Sequence, residues 1–128
     1  MDQATLVSPD LEGGRKLVAA LDDAGLDIRA AFWLYREESE SWRLYLATPL
    51  VKTQGLKVAY TKVLEEFDSL EIPNLKFWNI SVIDPELPLV VRLKTAVHTE
   101  PKIDLITFIG NTIDGVHIPP AYIYRINA

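Results

Sequence analysis

The sequence predicts an α+β fold: one mixed, mostly antiparallel sheet of about five strands with three helices, in the order α-β-β-α-β-α-β-β. Hairpin patterns occur near both ends of the chain, and helical periodicity marks segments between them. Hairpins join antiparallel neighbours, whereas helices provide crossovers to parallel strands. Hydrophobic residues make up 48% and charged residues 24% of the 128-residue chain, as in ordinary globular proteins. Residues 1–128 are therefore expected to form a single domain.

The first helix is predicted to start at Ser8-Pro9-Asp10. Serine is a good N-cap, proline suits the first turn, and an acid is favourable near the positive end of the helix dipole. The apolar stripe consists of Leu11, Val18 and Leu21. Gly25 is the expected end, while Gly13-Gly14 weakens the first turn and leaves a later start open.

A hairpin should follow, because residues 28–36 and 42–48 alternate with the two-residue period of strands on either side of the polar segment 37–41. We place Arg36 opposite Trp42. This register sends alternate side chains to opposite faces of the sheet. Four large or charged side chains then share one face, namely Trp33, Tyr35, Arg43 and Tyr45.

The clearest helical pattern runs from Leu56 to Phe67, with apolar residues at the spacing of an amphipathic helix. The next strand is predicted over residues 77–83, and its inward side chains are Trp78, Ile80 and Val82. Residues 89–97 fit either a strand or a helix. The helix-start composition of Asp84-Pro85-Glu86 favours the helix.

The last two strands are predicted over residues 103–109 and 116–126, around a tight turn at Asp114-Gly115. Such a turn pairs Ile113 with Val116 and Thr112 with His117. Pro119-Pro120 should interrupt the second strand, because proline cannot donate a hydrogen bond to the sheet.

Composition excludes several classes of function. The chain has no cysteine, so disulfides, thiolate nucleophiles and Cys-ligated metals are excluded. Its net charge is −5, and neither half is basic: the residues up to Leu64 carry 8 basic and 9 acidic side chains, and the others 5 and 9. Nucleic acid is therefore not an expected partner. Without a signal-peptide pattern or a membrane-spanning apolar run, we expect a cytoplasmic protein with no membrane partner.

The sequence contains no recognisable catalytic motif. It has no P-loop, no dinucleotide fingerprint and no Gly-x-Ser-x-Gly nucleophile elbow. Only two histidines are present, so a zinc site would need carboxylates to complete it. We expect no metal and no cofactor, and the sequence leans against an enzyme.

The aromatic face of the first hairpin is the first candidate site. Tryptophan, tyrosine and arginine dominate the hot spots of protein interfaces. The four side chains Trp33, Tyr35, Arg43 and Tyr45 therefore indicate a dimer or partner surface. The alternative is that helices cover this face too and make it a second core layer. A single-stranded RNA platform is disfavoured by the acidity of the chain and by its missing aromatic-glycine signature.

The second candidate lies around His117. Histidine titrates near neutrality, so it could transfer protons if a carboxylate or a tyrosine lies within reach. The cluster would consist of Asn111, Asp114, His117 and Tyr124, and it requires the strand to bend back after Pro119-Pro120. The alternative is an exposed hairpin histidine beside an aspartate that only forms the turn.

Three stretches together resemble a group of short, uncharacterised bacterial proteins. They are Ala31-Phe32-Trp33-Leu34-Tyr35 continuing through Glu40-Ser41-Trp42-Arg43-Leu44 to Ala47-Thr48-Pro49-Leu50, the segment from Pro88 to Val97, and Gly110-Asn111-Thr112-Ile113-Asp114-Gly115-Val116 followed by Ala121-Tyr122-Ile123-Tyr124-Arg125. The resemblance implies a bacterial cytoplasmic protein and a complete single domain. It also favours the helix over residues 89–97. It implies no function and no catalytic residues.

Taken together, the residues favour a non-enzymatic binding or assembly domain that self-associates through the aromatic sheet face. The expected partner is a second copy or another protein. The alternative is a small enzyme or ligand-binding protein with its site near His117.

Overall fold

A five-stranded mixed sheet lies at the centre of the fold. The computed structural model describes residues 9–97, 99, 102–108, 111–113 and 115–127. The helices are α1 (Leu11–Asp23), α2 (Leu50–Thr53), α3 (Leu56–Leu70) and α4 (Pro88–Ala96). The strands are β1 (Ala30–Arg36), β2 (Ser41–Ala47), β3 (Ile80–Ile83), β4 (Ile106–Phe108), β5 (Asn111–Ile113), β6 (Val116–Ile118) and β7 (Ala121–Ile126).

The strands of the central sheet are arranged in the order β3-β2-β1-β7-β4. β2 and β3 are parallel and are connected through α2 and α3, whereas the other neighbours are antiparallel. The predicted α+β class is thereby confirmed. The short helix α2 was not predicted, and β5 and β6 form a small sheet of their own. β6 and β7 separate at Pro119-Pro120, as expected of residues that cannot donate to a ladder.

Both faces of the central sheet are covered. On the face that we call the α1 face, buried residues of β1, β2 and β3 pack against α1 and α3. On the opposite, α4 face, Val90 and Leu93 of α4 and Ile118 of β6 cover the sheet. The alternative reading of the sequence, in which helices cover both faces, is therefore the one that the structure adopts.

The helix α1 begins earlier than its glycines suggested. Asp10 is its N-cap, and the Asp10 carboxylate accepts a hydrogen bond of 2.9 Å from the Gly13 amide. The predicted serine cap, Ser8, lies outside the described residues. At the other end, Gly25 has a φ of 79°, and the Leu26 amide donates to the Leu21 carbonyl. This left-handed glycine closes the helix as predicted.

The register of the first hairpin differs from the prediction by one residue. Arg36 lies opposite Ser41, and Trp33 lies opposite Leu44. Glu40 adopts a φ of 50°, which closes a loop of residues 37–40 and makes Ser41 the first residue of β2. Because side chains alternate along a strand, this shift moves every β2 side chain to the other face relative to β1.

The strand β3 starts later than predicted. Residues Phe77–Asn79 form a single 3-10 turn, closed by a hydrogen bond from the Asn79 amide to the Lys76 carbonyl, and pairing with β2 begins at Ile80. Ile80 and Val82 are buried as expected. Trp78 is not, since the turn places its side chain outside the sheet, where it is 73% exposed.

A β-bulge in β7 positions two consecutive side chains on the α1 face. Ala31 lies opposite Arg125 and Phe32 opposite Ile123, so Tyr124 is the extra residue. The Tyr124 ring belongs to the core under α1. The guanidinium of Arg125 binds both carboxylate oxygens of Asp22, at 2.7 and 2.9 Å, near the end of α1.

Candidate functional site

The four aromatic-face candidates do not share a face. Trp33 and Tyr35 lie on the α1 face, where Trp33 is only 2% exposed. Tyr45 lies on the α4 face and stacks on Phe32, with ring centroids 5.3 Å apart, and Arg43 points to the same side by alternation. The prediction of one shared face was wrong because it depended on the hairpin register. The two tyrosines and Trp33 instead stabilise the core.

The Trp33 indole is tied to α1 through Tyr124. Its Nε1–H donates to the Tyr124 hydroxyl at 2.9 Å, and that hydroxyl donates to the Leu11 carbonyl at 2.6 Å. Burial raises the pKa of the Tyr124 phenol well above its ordinary value. A phenol held in its neutral form and bonded on both sides is a structural group, not an acid or base exposed to a substrate.

Among the residues proposed around His117, Tyr124 lies apart from the histidine. Tyr124 is buried on the α1 face, whereas His117 is exposed on the small β5–β6 sheet, opposite Thr112. The predicted pairings of Thr112 with His117 and of Ile113 with Val116 are confirmed. Asn111 pairs with Ile118 through β5 and β6, and Asp114 lies outside the described residues.

Among the described carboxylates, that of Glu37 lies within ion-pair distance of His117. The Nε2 atom lies 3.8 Å from the Glu37 Oε1 atom, and both side chains are more than half exposed. The described residues contain no group of three or more His, Cys, Asp or Glu side chains that could hold a metal ion.

The surface around Trp78 is a further candidate site, which the sequence analysis did not predict. Trp78 is followed by Ser81 on β3 and preceded by Lys76, and Arg43 of β2 lies beside it. The Arg43 Nη1 atom donates to the Trp78 carbonyl at 3.3 Å and to the Ser81 hydroxyl at 3.1 Å. We call these four residues, Trp78, Lys76, Arg43 and Ser81, the Trp78 surface.

The Trp78 surface is cationic in an acidic protein. Neither Arg43 nor Lys76 forms an ion pair with any described carboxylate; the Lys76 ammonium instead donates to the Pro73 carbonyl at 3.5 Å. An exposed indole, with Arg43 bonded to its own carbonyl and Lys76 two residues earlier in the chain, combines apolar area with positive charge. The sequence signal was the Pro73-Asn74 turn before Trp78, which favours a late strand start.

A cleft of about 250 Å³ lies where β2 and β3 end, between α2 and α4. Its charged side chains come from several elements: Arg29, Lys52 and Lys94 are cations, and Asp84 and Glu86 are carboxylates. Lys52 and Glu86 form an exposed ion pair of 2.8 Å, which raises the pKa of Lys52. Crevices at the carboxyl ends of parallel strands are common ligand sites in open sheets.

A second, more open depression of about 570 Å³ lies beside Arg125. The guanidinium there is already engaged, because it binds Asp22 and donates to the Ile28 carbonyl at 3.0 Å. Arg125 is only 3% exposed. Its charge stabilises the end of α1, and we do not count it as a ligand-binding group.

No protein-family model, no curated protein and no solved structure matches this chain. None of the helices in the described part of the chain combines the length and the apolar character that crossing a bilayer requires. The geometry of the surface is therefore the basis for a functional assignment.

Proposed function

We propose that this protein is a non-catalytic binding domain that docks a segment of a partner protein on the Trp78 surface. The observation that carries the proposal is the 73% exposure of Trp78 in a chain whose other large aromatic side chains are buried or half-buried within the described residues. Exposed tryptophan is costly in water and is enriched in the hot spots of protein interfaces.

Neighbouring residues hold the backbone of Trp78 in place, and this order favours binding. The adjacent Phe77 ring packs on the rings of Tyr60 and Phe67, with centroids 6.2 and 5.6 Å apart. Arg43 holds the Trp78 carbonyl from the other side. The backbone that carries the indole is thus already ordered in the free protein. This order lowers the entropic cost of binding a partner.

The charges indicate the chemistry of the partner. Arg43 and Lys76 lack carboxylate partners among the described residues, so a segment that brings its own carboxylates would compensate them. The indole would accept an apolar side chain beside those carboxylates. We therefore propose an acidic segment with an apolar anchor as the ligand.

Selection from a display library of random short peptides tests the proposal. The wild-type protein serves as bait, with counter-selection on Trp78→Ala. We expect enriched peptides to combine carboxylates with an apolar anchor and to bind the purified wild-type protein. Leu105→Ala is the matched control, because it removes another exposed apolar side chain from a different part of the surface. Peptides that bind Trp78→Ala as well as the wild type, or no enrichment at all, would contradict the proposal.

The cleft between α2 and α4 supports a second candidate function, the binding of a small anion. Three cations from three parts of the chain converge there, and Lys94 has no ion pair with any described residue. Titration with inorganic phosphate, followed by NMR of the Val91 and Lys94 amides, should give saturable shifts that Lys94→Gln weakens. Sodium chloride at equal ionic strength is the control. Shifts that never saturate, or that Lys94→Gln leaves unchanged, would exclude this function.

A further inference from the structure

The outer side of α3 carries large apolar side chains that are only partly covered within the described chain. Leu56 is 51% and Leu64 36% exposed, and Tyr60 between them is half-buried. These residues follow one another at four-residue spacing, so they form a continuous strip along the helix. The inner side of α3, with Ala59 and Val63, is fully buried.

The charges of α3 are arranged against its dipole. The positively charged residues Lys57 and Lys62 lie in the first half of the helix, and the acidic residues Glu65, Glu66 and Asp68 lie in the second half. The first turn contains no acid and the last turn no base. A helix dipole favours the opposite arrangement, so this polarity is unfavourable in an isolated copy.

Two of these charges flank the apolar strip and have no ion-pair partner in the described part of the chain. They are Lys57 and Asp68. Lys57, Thr61, Leu64 and Asp68 follow the spacing of one helix face. Lys57 and Asp68 are eleven residues apart, which corresponds to about 16 Å along the helix. They cannot reach each other within one copy.

We infer that α3 packs antiparallel against α3 of a second copy of this chain, around a two-fold axis between Thr61 and Leu64. That arrangement brings Lys57 opposite Asp68 of the partner subunit, and the symmetry repeats the pair. Leu64 and Tyr60 then lie at the centre of the contact. The reversed charge polarity becomes favourable, because each end of α3 meets the oppositely charged end of its neighbour.

Association through the adjacent sheet edge is disfavoured. The outward amide of Val82 on the edge strand β3 already donates to the Tyr60 hydroxyl at 3.0 Å. A second strand could not pair there without breaking this bond. The helix, rather than the strand edge, is thus the available contact on this side of the molecule. The inference does not depend on the Trp78 surface.

Charge reversal tests the pairing. Sedimentation equilibrium of the full chain at micromolar concentration should show a dimer. Lys57→Glu and Asp68→Lys each place two like-charged pairs across the axis, so each should raise the dimer Kd by about tenfold or more. The double variant Lys57→Glu/Asp68→Lys restores opposite charges and should return the Kd to near the wild-type value.

The stability of the single variants provides a second readout. Each single reversal improves the match with the helix dipole, so the monomer should resist chemical denaturation at least as well as the wild type while the dimer weakens. Lys94→Glu, on α4, is the control and should leave the Kd unchanged, as should Trp78→Ala. A monomeric wild type, single reversals that leave the Kd unaltered, or a double variant that stays monomeric would each overturn the inference.

Discussion

Single residues of β7 determine how α1 is held. Tyr124 and Arg125 are consecutive, yet both point to the α1 face because of the bulge. Tyr124 binds the first turn of α1 at Leu11, and Arg125 binds Asp22 near its last turn. Two adjacent positions thus hold both ends of one helix. The sequence pattern of a regular strand would have placed these side chains on opposite faces.

Replacing Tyr124 by phenylalanine should destabilise the fold by about 1–3 kcal/mol, because it leaves the buried Trp33 donor without its partner and removes the hydrogen bond to the Leu11 carbonyl. Tyr35→Phe is the matched control: it removes a hydroxyl that has no hydrogen bond to any described residue, and it should change the free energy of unfolding much less. Urea denaturation measures both. Equal losses in the two variants would show that the Tyr124 hydroxyl is not the important group.

The raised pKa of Tyr124 predicts a loss of stability in alkali. The phenol stays protonated in the folded state at a pH at which the unfolded chain, with an ordinary pKa near 10, has released the proton. This contribution is complete below about pH 10 and is lost as the pH rises from there toward the folded-state pKa. Denaturation across this range should show a steeper decline for the wild type than for Tyr124→Phe. Parallel profiles would contradict it.

Among helices and strands, those with strong local signals were predicted well. The periodicity of α3 and the hairpin turn before β6 follow from nearby residues alone, and the helix-start composition correctly assigned α4. The register of the first hairpin could not be predicted from nearby residues, because the left-handed backbone of Glu40 determines the length of the loop. Every assignment of a β2 side chain to a face depended on that residue.

Gly14 of α1 is explained by packing that sequence patterns do not contain. A Cβ on Gly14 would contact the Tyr124 hydroxyl and come within 2.9 Å of the Trp33 Nε1 atom. Gly14 therefore lets α1 approach the sheet closely enough for the hydrogen bond between Trp33 and Tyr124 to form beneath it. Glycine lowers the helix propensity at this position, and the close packing of α1 on the sheet compensates for that loss.

Gly14→Ala should accordingly destabilise the protein, although alanine is the better helix former by about 1 kcal/mol. Overpacking against fixed core groups costs about 1–3 kcal/mol, so we expect a net loss. In the Tyr124→Phe background the same substitution should cost less, because the hydroxyl that it meets is gone. Calorimetric unfolding of the four proteins gives the coupling. A stabilised Gly14→Ala variant would refute the close approach.

Across the whole molecule, both faces of the central sheet are covered. A surface that binds a partner must therefore lie outside these two faces. The sequence could predict the α+β class from its order of elements, but it could not locate Trp78, since exposure depended on a 3-10 turn that delays β3. Tyr124 lies apart from His117 for a long-range reason: the bulge turns Tyr124 toward α1. Both sites were decided by backbone irregularities rather than by composition.

The charge distribution also predicts weak interaction with nucleic acid. The chain carries a net charge of −5, and its local cationic residues at the Trp78 surface are few. We expect no saturable binding of random duplex or single-stranded DNA at physiological salt, measured by fluorescence anisotropy. Micromolar affinity that falls steeply with added salt would contradict this expectation.

The most direct test of the proposed binding function is the affinity of Trp78→Ala for a peptide selected on the wild-type protein, measured by isothermal titration. A hot-spot tryptophan contributes at least about 2 kcal/mol, so the variant should bind about thirtyfold more weakly or worse while unfolding at the wild-type temperature. Arg43→Gln should weaken binding less and reduce its dependence on salt. If Trp78→Ala binds the peptide with the wild-type Kd, then Trp78 is not the anchor and the proposed function is wrong.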